Sequence, residues 1–396
     1  MVIHAETRKR DLVDKLYNLG LSISYDRVMN ISTAMGNSIC EMFKDDDVVC
    51  PAKLRCDVFT TAAVDNIDHN PSSTSAKGSL HGTAISLFQH PSQDNYGTVR
   101  AMTSIIENVK RDTIKPLPER YSVVPPVVLP KEPTAIPSVD SLLFSECGFF
   151  SGAQQLEYRW LNHVRQEIED DDTDNKNVTW SAFHANLSQT HAVEVPPLDI
   201  SSVLPLFQEE AKSTAMIRHS MTIIKEQYLD TVDDQAENTI SFEEWKERRG
   251  IESPLFHFWS LTLKLELIIL IFVRSLREGN FNLYKDSLTM LIPWVFALDH
   301  PNYARWLPIH VRDMFALDTI APSIATEFES GHFVVHKTHS TFSAIAIDHA
   351  HEQNNKLVKG EGGVIGLTEN ASQLLRWMVC VQKWHVQSMN SSYHKN

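Results

Sequence analysis

The chain has 396 residues and a mass of 45.0 kDa, enough for two or three domains with full apolar cores. Its 36 Lys+Arg against 50 Asp+Glu give a formal net charge of -14, which excludes a chain-wide electrostatic grip on nucleic acid or anionic lipid but leaves local basic patches open. Hydrophobic residues at 42% and charged residues at 22% exclude a disordered or fibrous chain.

The first ten residues place no apolar run behind their basic residues, so no signal peptide is expected. Residues 11–43 are predicted to form two helices around a short turn. Leu12, Leu16 and Leu19 sit at helical spacing, Gly20 stops the first helix, and Ser24 caps the second, with a stripe of Val28, Ile31, Met35, Ile39 and Met42. Acidic residues Asp11, Asp14, Asp26, Glu41 and Asp45–Asp47 weigh against reading this hairpin as a DNA-binding helix-turn-helix. Val58–Val64 and Thr83–Phe88 are rich in strand formers. They flank a loop from Asn70 to Gly78, so antiparallel pairing is expected without a fixed register.

Seven of the 18 prolines lie between Pro116 and Pro137, which predicts an extended connector without helix or central strand. Glu157–Glu169 reads as a helix followed by a solvated acidic loop, Glu169–Asp174, with no spaced calcium-ligand pattern. Further helices are expected over Leu204–Tyr228, Phe242–Arg249, Phe256–Arg277 and Asn282–Ala297, the last ended or kinked by Pro293. The apolar run Leu267–Val273, the core of the stretch from Leu265, lies between Glu266 and Arg274. It is too short to span a bilayer and reads as a fully buried helix. Gly331–Lys337 is expected to be a strand, Ser343–Lys359 a helix stopped by Gly360, and Thr368 the cap of a last helix ending near His385. The five cysteines, Cys40, Cys50, Cys56, Cys147 and Cys380, form no pair motif and read as reduced thiols of an intracellular protein.

Candidate chemistry centres on Asp65, at the end of the first strand with Asp68 beyond it, and Glu352, in a polar helix. Asp348, Glu352, Asn355 and Lys359 share one face of that helix by spacing. A strand-end aspartate facing a helix-borne glutamate suits hard divalent cations, which prefer carboxylate oxygens. On spacing alone the plainer reading is a turn and a wet helix face. His332, His336, His339, His349 and His351 lack cysteine partners and a closed zinc set. Gly360–Gly366 lacks the lysine and hydroxyl of a phosphate loop. The segment Asn302–Met314, with Tyr303, Arg305, Trp306 and Arg312, fits base stacking or phosphate contact. Aromatic packing between helices accounts for it more simply.

Several strings together resemble an uncharacterised multicopy family of animal genomes: Asp65-Asn66-Ile67-Asp68-His69-Asn70, Leu80-His81-Gly82-Thr83, Asn302 to Met314, His349-Ala350-His351-Glu352-Gln353-Asn354-Asn355-Lys356, Lys359 to Gly363 and Leu367-Thr368-Glu369-Asn370. That family is similar to transposon-derived proteins with a ribonuclease-H-like, DDE-type transposase core. The resemblance implies Asp65 as the first acidic ligand and Glu352 as the last, with Asp65, Asp68 and Glu352 around Mg²⁺. It also implies DNA as partner, weakly contacted by Arg305, Arg312, Lys356 and Lys359. Such families place a second aspartate after an apolar strand. Here Ile223–Tyr228 runs through Asp230–Asp234 into Asn238–Trp245 without one, Asp199 follows Pro196-Pro197, and Asp299 ends a helical run.

The resulting expectation is a mixed α/β, predominantly helical fold with a partial ribonuclease-H-like sheet and a large helical portion. The expected divisions are a helical hairpin (1–48), a strand pair opening the core (49–115), a Pro-rich connector (116–142), a helical region lacking the central core block (143–330), and a C-terminal strand and helices completing the core (331–396). Function is expected to be that of a transposon-derived protein resembling a DDE transposase or integrase, inactive for want of its middle carboxylate and without need of the ancestral Mg²⁺. The alternative is a non-enzymatic intracellular protein-interaction module. The location is expected to be intracellular, extending to the nucleus if DNA is the partner, with no membrane partner.

Overall fold

The computed structural model describes residues 4, 9–69, 80–99, 115–127, 148–169, 179–190, 197–207, 211, 213–225 and 254–359. Its fold is mixed α/β and predominantly helical, with small antiparallel sheets. The helices are α1 (Arg10–Asn18), α2 (Tyr25–Asp45), α3 (Glu119–Ser122), α4 (Gly148–Glu169), α5 (Trp180–Thr190), α6 (Thr214–Lys225), α7 (Pro254–Glu278), α8 (Phe281–Ala297), α9 (Pro301–Phe315), α10 (Leu317–Ile320), α11 (Pro322–Glu327) and α12 (Ile347–Lys359). The strands are β1 (Arg55–Cys56), β2 (Thr60–His69), β3 (Leu80–Gln89), β4 (Thr98–Val99), β5 (Ile200–Val203), β6 (Val334–Val335) and β7 (Ile345–Ala346). They fall into two compact units, and the chain alternates between them. The first holds α1–α3, β1–β5, α6 and α12; the second holds α4, α5, α7–α11, β6 and β7.

In the first unit, the amide of Gly20 (φ 71°) bonds the Tyr17 carbonyl and the Leu21 amide bonds that of Leu16. This closes the end of α1 with the left-handed residue that glycine supplies cheaply. The buried residue of α1 is Val13, and Leu12 and Leu19 lie exposed beside it. Ser24 caps α2 by accepting the Arg27 amide, as its position predicts. Ile39, Met42 and Phe43 of α2 then pack with Ile85 and Leu87 of β3, Leu204, Phe207, and Met216 and Ile223 of α6 in the principal core.

The main sheet is three-stranded and antiparallel, in the order β2-β3-β5. Its register runs Thr60↔Gln89, Asp65↔Ala84 and Ser86↔Val203. The expected strand pair is present and longer than its apolar runs. β5 and the stretch after it correct the expectation of a helix from Leu204. Leu204 donates to Ile85, and Phe207 and Thr83 exchange amide bonds at 3.0 and 3.1 Å, so this stretch extends along β3. Helix α6 begins only at Thr214, where Ser213 accepts the Met216 amide. Pro205 has no amide to donate to a helix, while Leu204 and Phe207 are needed in the core. The prolines before Asp199 do not prevent a strand there, because β5 lies at the sheet edge. The segment read as a helix-free connector holds the single turn α3, which starts after Pro118. There Tyr121 is buried, stacks on Phe207 and donates to the Pro205 carbonyl at 2.7 Å.

In the second unit α7, α8 and α9 pack in succession. Asn280 caps α8 by accepting the Leu283 amide, and α8 continues past Pro293 to Ala297. Helix α7 is buried on one side only. Leu267, Ile268 and Ile271 face the core, whereas Leu263 and Ile269 are exposed, correcting the expectation of full burial. Among the described residues no helix is long and apolar enough to cross a membrane. The expected strand near Gly331 is confined to Val334–Val335, paired with Ile345–Ala346, so α12 begins at Ile347. The expected divisions shift accordingly. Residues 143–330 contribute β5 and α6 to the first unit, and 331–346 belong to the second. The predicted helices at Phe242–Arg249 and after Thr368 lie outside the described residues.

The second unit is organised around a buried carboxylate. Glu157 of α4 accepts from Arg274 Nη1 of α7 and from Trp180 Nε1 (2.7 Å), and its Oε2 lies 3.2 Å from His184 Nε2; Trp180 and His184 both belong to α5. Arg274 also donates to the Ala153 carbonyl at 3.2 Å. Burial alone pushes the Glu157 carboxyl up. The bonds from His184 and Trp180 and the Arg274 charge outweigh it and hold the group below the usual range. Glu278, where burial outweighs attraction to Arg274, is held above that range.

A Cβ at Gly82 would stand 2.3 Å from the Phe207 carbonyl oxygen, whereas one at Gly152 in α4 would meet nothing within 4 Å. Gly82→Ala should therefore cost about 1–3 kcal/mol in urea unfolding, and Gly152→Ala should add about 0.5–1 kcal/mol. Glu157→Gln leaves Arg274 buried beside a neutral group and should cost about 3–5 kcal/mol near neutral pH. A carboxyl held low stabilises the fold above the unfolded glutamate value of about 4.3 and loses that contribution as pH falls through its folded value. The difference between variant and parent in thermal unfolding should thus narrow in acid. Glu278 works in the opposite sense, and the stability it confers in acid is lost as pH rises.

Candidate functional site

Directly opposed residues of an antiparallel pair project to the same side of the sheet. Thr61, Ala63, Asp65 and Ile67 of β2 therefore share a face with Phe88, Ser86, Ala84 and Gly82 of β3, while Ile85 and Leu87 line the other. Helix α12 lies against β2 and β3, and polar side chains fix it to the Ser86 face. Ser86 Oγ is 2.8 Å from His351 Nδ1 and accepts from Asn354 Nδ2 at 3.1 Å. Asn354 Nδ2 also donates to Ser201 Oγ of β5 at 3.0 Å. Ala350, His351, Asn354 and Asn355 are buried in this contact.

Asp65 lies on the same face, two residues along β2 from the partner of Ser86, and is exposed. Its Oδ1 accepts the Asn66 amide at 2.7 Å. Glu352, next to the anchored His351, is exposed on the flank of α12. The structure thus brings the strand bearing Asp65 against the helix bearing Glu352. Of the helix face expected from spacing, Asp348 and Glu352 are exposed but Asn355 is buried, so the wet face is narrower than predicted. The side chains of Asp68 and Lys359, and residues 226–253 and 360–396, lie outside the described residues.

Mg²⁺ is the ion that the sequence resemblance implies. Asp65 and Glu352 offer two carboxylates, and one oxygen of Asp65 is engaged by its neighbour's amide. Among the described residues no group of three or more His, Cys, Asp or Glu side chains is arranged to hold a metal ion. These donors do not by themselves fit a two-cation site. The expected nucleic-acid contacts are divided between the units. Arg305 and Arg312 lie on α9 in the second, and Lys356 is exposed on α12 in the first. Arg312 is half-buried and donates twice to Asp313 Oδ1, at 2.8 and 2.6 Å. Tyr303 and Trp306 are exposed, so the expected aromatic packing between helices is not their role.

Two features of the first unit lie outside those expectations. Thr61 Oγ1 is 2.8 Å from His90 Nε2, and His90 Nδ1 is 2.9 Å from Asp199 Oδ1, with both ionisable side chains buried. This hydroxyl–imidazole–carboxylate chain can hold a proton, yet its burial makes it a fastening between β3 and the start of β5. Its members are too far apart in the chain for spacing to reveal it. Separately, a cavity of about 480 Å³ is lined by Val48, Val49, Pro118, Tyr121, His219 and Ile223, with the Asp47–Arg120 ion pair (3.3 Å) at its edge.

Removing the Ser86 hydroxyl should cost about 1–3 kcal/mol, because buried polar groups of α12 lose their partner. Asp65→Asn and Glu352→Gln, both exposed, should each stay within about 0.5 kcal/mol of the parent. Urea unfolding of Ser86→Ala beside these two variants checks both statements.

No curated protein and no solved structure matches the chain. A family model described as "Domain of unknown function (DUF8702)" matches residues 187–394, more than half of the chain; the span includes Glu352 and excludes Asp65. The chain accordingly belongs to the family described as Domain of unknown function (DUF8702).

Proposed function

We propose that the chain is a transposon-derived protein carrying the remnant of a ribonuclease-H-like, DDE-type core, one that no longer cleaves DNA. The observation that carries this reading is the contact of α12 with the sheet face bearing Asp65, with Glu352 next to the residue that anchors the helix. The open side of β2 supports it further. β2 is an edge of its sheet, and among the described residues its outer side pairs with no strand. A further strand delivering a carboxylate beside Asp65 would have to enter there.

Two carboxylates hold Mg²⁺ weakly, since the ion sheds water reluctantly and a two-cation centre needs bridging and flanking oxygens. DNA as the ancestral partner, and with it an intracellular, nuclear location, belongs to the same reading. A second reading, a non-enzymatic protein-interaction module, is favoured by Leu255, Phe258, Trp259 and Leu263. These recur at helical spacing along the exposed side of α7.

The purified full chain incubated with supercoiled plasmid and Mg²⁺ or Mn²⁺ should nick no faster than Asp65→Ala. Metal-dependent nicking that Asp65→Ala and Glu352→Gln both abolish would overturn the loss of activity.

A further inference from the structure

The corner between α8 and α9 carries four exposed large side chains. Phe296 (58%) and Leu298 (53%) end α8; Tyr303 (67%) and Trp306 (67%) stand on the first turns of α9. Asn302 and Trp306 occupy the middle of the outward side of α9, with Tyr303 and Arg305 flanking them, while Val311 points to the core. This composition of tryptophan, tyrosine and arginine is typical of interface anchors.

Two opposite charges border the group. Arg305 is exposed and has no ion pair among the described residues; Asp299 is likewise exposed and without one. Asp299 occupies the left-handed position that closes α8, at φ 50°. Its amide bonds the Phe296 carbonyl, and the His300 amide bonds that of Val295. Glycine fills this position without strain, and aspartate and asparagine enter it less readily than glycine but more readily than other side chains. A carboxylate is therefore held at the rim of these apolar side chains at a local cost, without an ion pair among the described residues.

We propose that this corner pairs with the same corner of a second copy of the chain about a two-fold axis, Arg305 of each copy meeting Asp299 of the other around the four apolar side chains. A two-fold interface requires that one patch carry both members of every complementary pair, and this one does. Nucleic acid is a poorer occupant. Arg305 is the one unpaired cation between His300 and Asp313, where affinity for a phosphate backbone grows with the number of phosphates neutralised. Three aromatic residues and a leucine are a small interface, so the dimer should be weak, with a Kd on the order of 10 µM.

Sedimentation velocity of the full chain across roughly 1–100 µM tests this. The parent should shift from monomer to dimer over that range. Trp306→Ala, Arg305→Asp and Asp299→Arg should each weaken the dimer at least about tenfold. Asp299→Asn, which tolerates the left-handed turn, should weaken it as well. An equimolar mixture of Arg305→Asp and Asp299→Arg should dimerise again, because each foreign charge then meets its complement; a misfolded variant cannot give that result. A parent that stays monomeric, a dimer indifferent to both reversals, or a mixture that stays monomeric overturns the proposal. So does a monomer that retains a single-stranded oligonucleotide through Trp306, which assigns the face to nucleic acid instead.

Discussion

The hydroxyl of Ser86 is the fixed point of the first unit. It gathers the imidazole of His351 and the amide of Asn354, and through Asn354 the hydroxyl of Ser201, so one helix is tied to two neighbouring strands. An apolar helix could slide on an apolar sheet at little cost. A polar contact that must satisfy each buried donor and acceptor admits essentially one register. Glu352 owes its position to that register, since its neighbour is one of the anchored residues. Any chemistry assigned to the pair of acids depends on α12 being held this way.

The second unit follows the same logic with full charges. Glu157 draws donors from α5 and α7, so three helices are joined by one carboxylate. Such a centre contributes less to net stability than an apolar core of equal volume, because of the desolvation its charges require. It does set which helices meet and in what order.

Much of the local structure was legible in the residues. Ser24 and Gly20 bound their helices through capping chemistry that operates over three or four residues, and β-branched runs marked β2 and β3. The strand at Ile200–Val203 was hidden because local propensity cannot report that β3 has a free edge to fill, and because adjacent prolines speak against a central strand but not an edge one. The acidic pair could be suspected from Asp65 and Glu352 as residues. The His351–Ser86 contact could not, since nothing in a polar helix distinguishes a histidine that will be buried from His349, which is exposed. The hub at Glu157 was invisible for the same reason: a glutamate in a helix that otherwise reads as amphipathic shows no sign of its arginine partner 117 residues on.

The alternation of the chain between its units has a consequence during synthesis. Ser86 and His351 are separated by 265 residues, so at ordinary elongation rates the β2–β3 sheet leaves the ribosome roughly 13–53 s before the helix that covers it. Throughout that interval the polar side of the sheet and the outer edge of β2 are bare. Until α12 emerges, the alanine, glycine and hydroxyl side chains on that side keep its apolar surface modest.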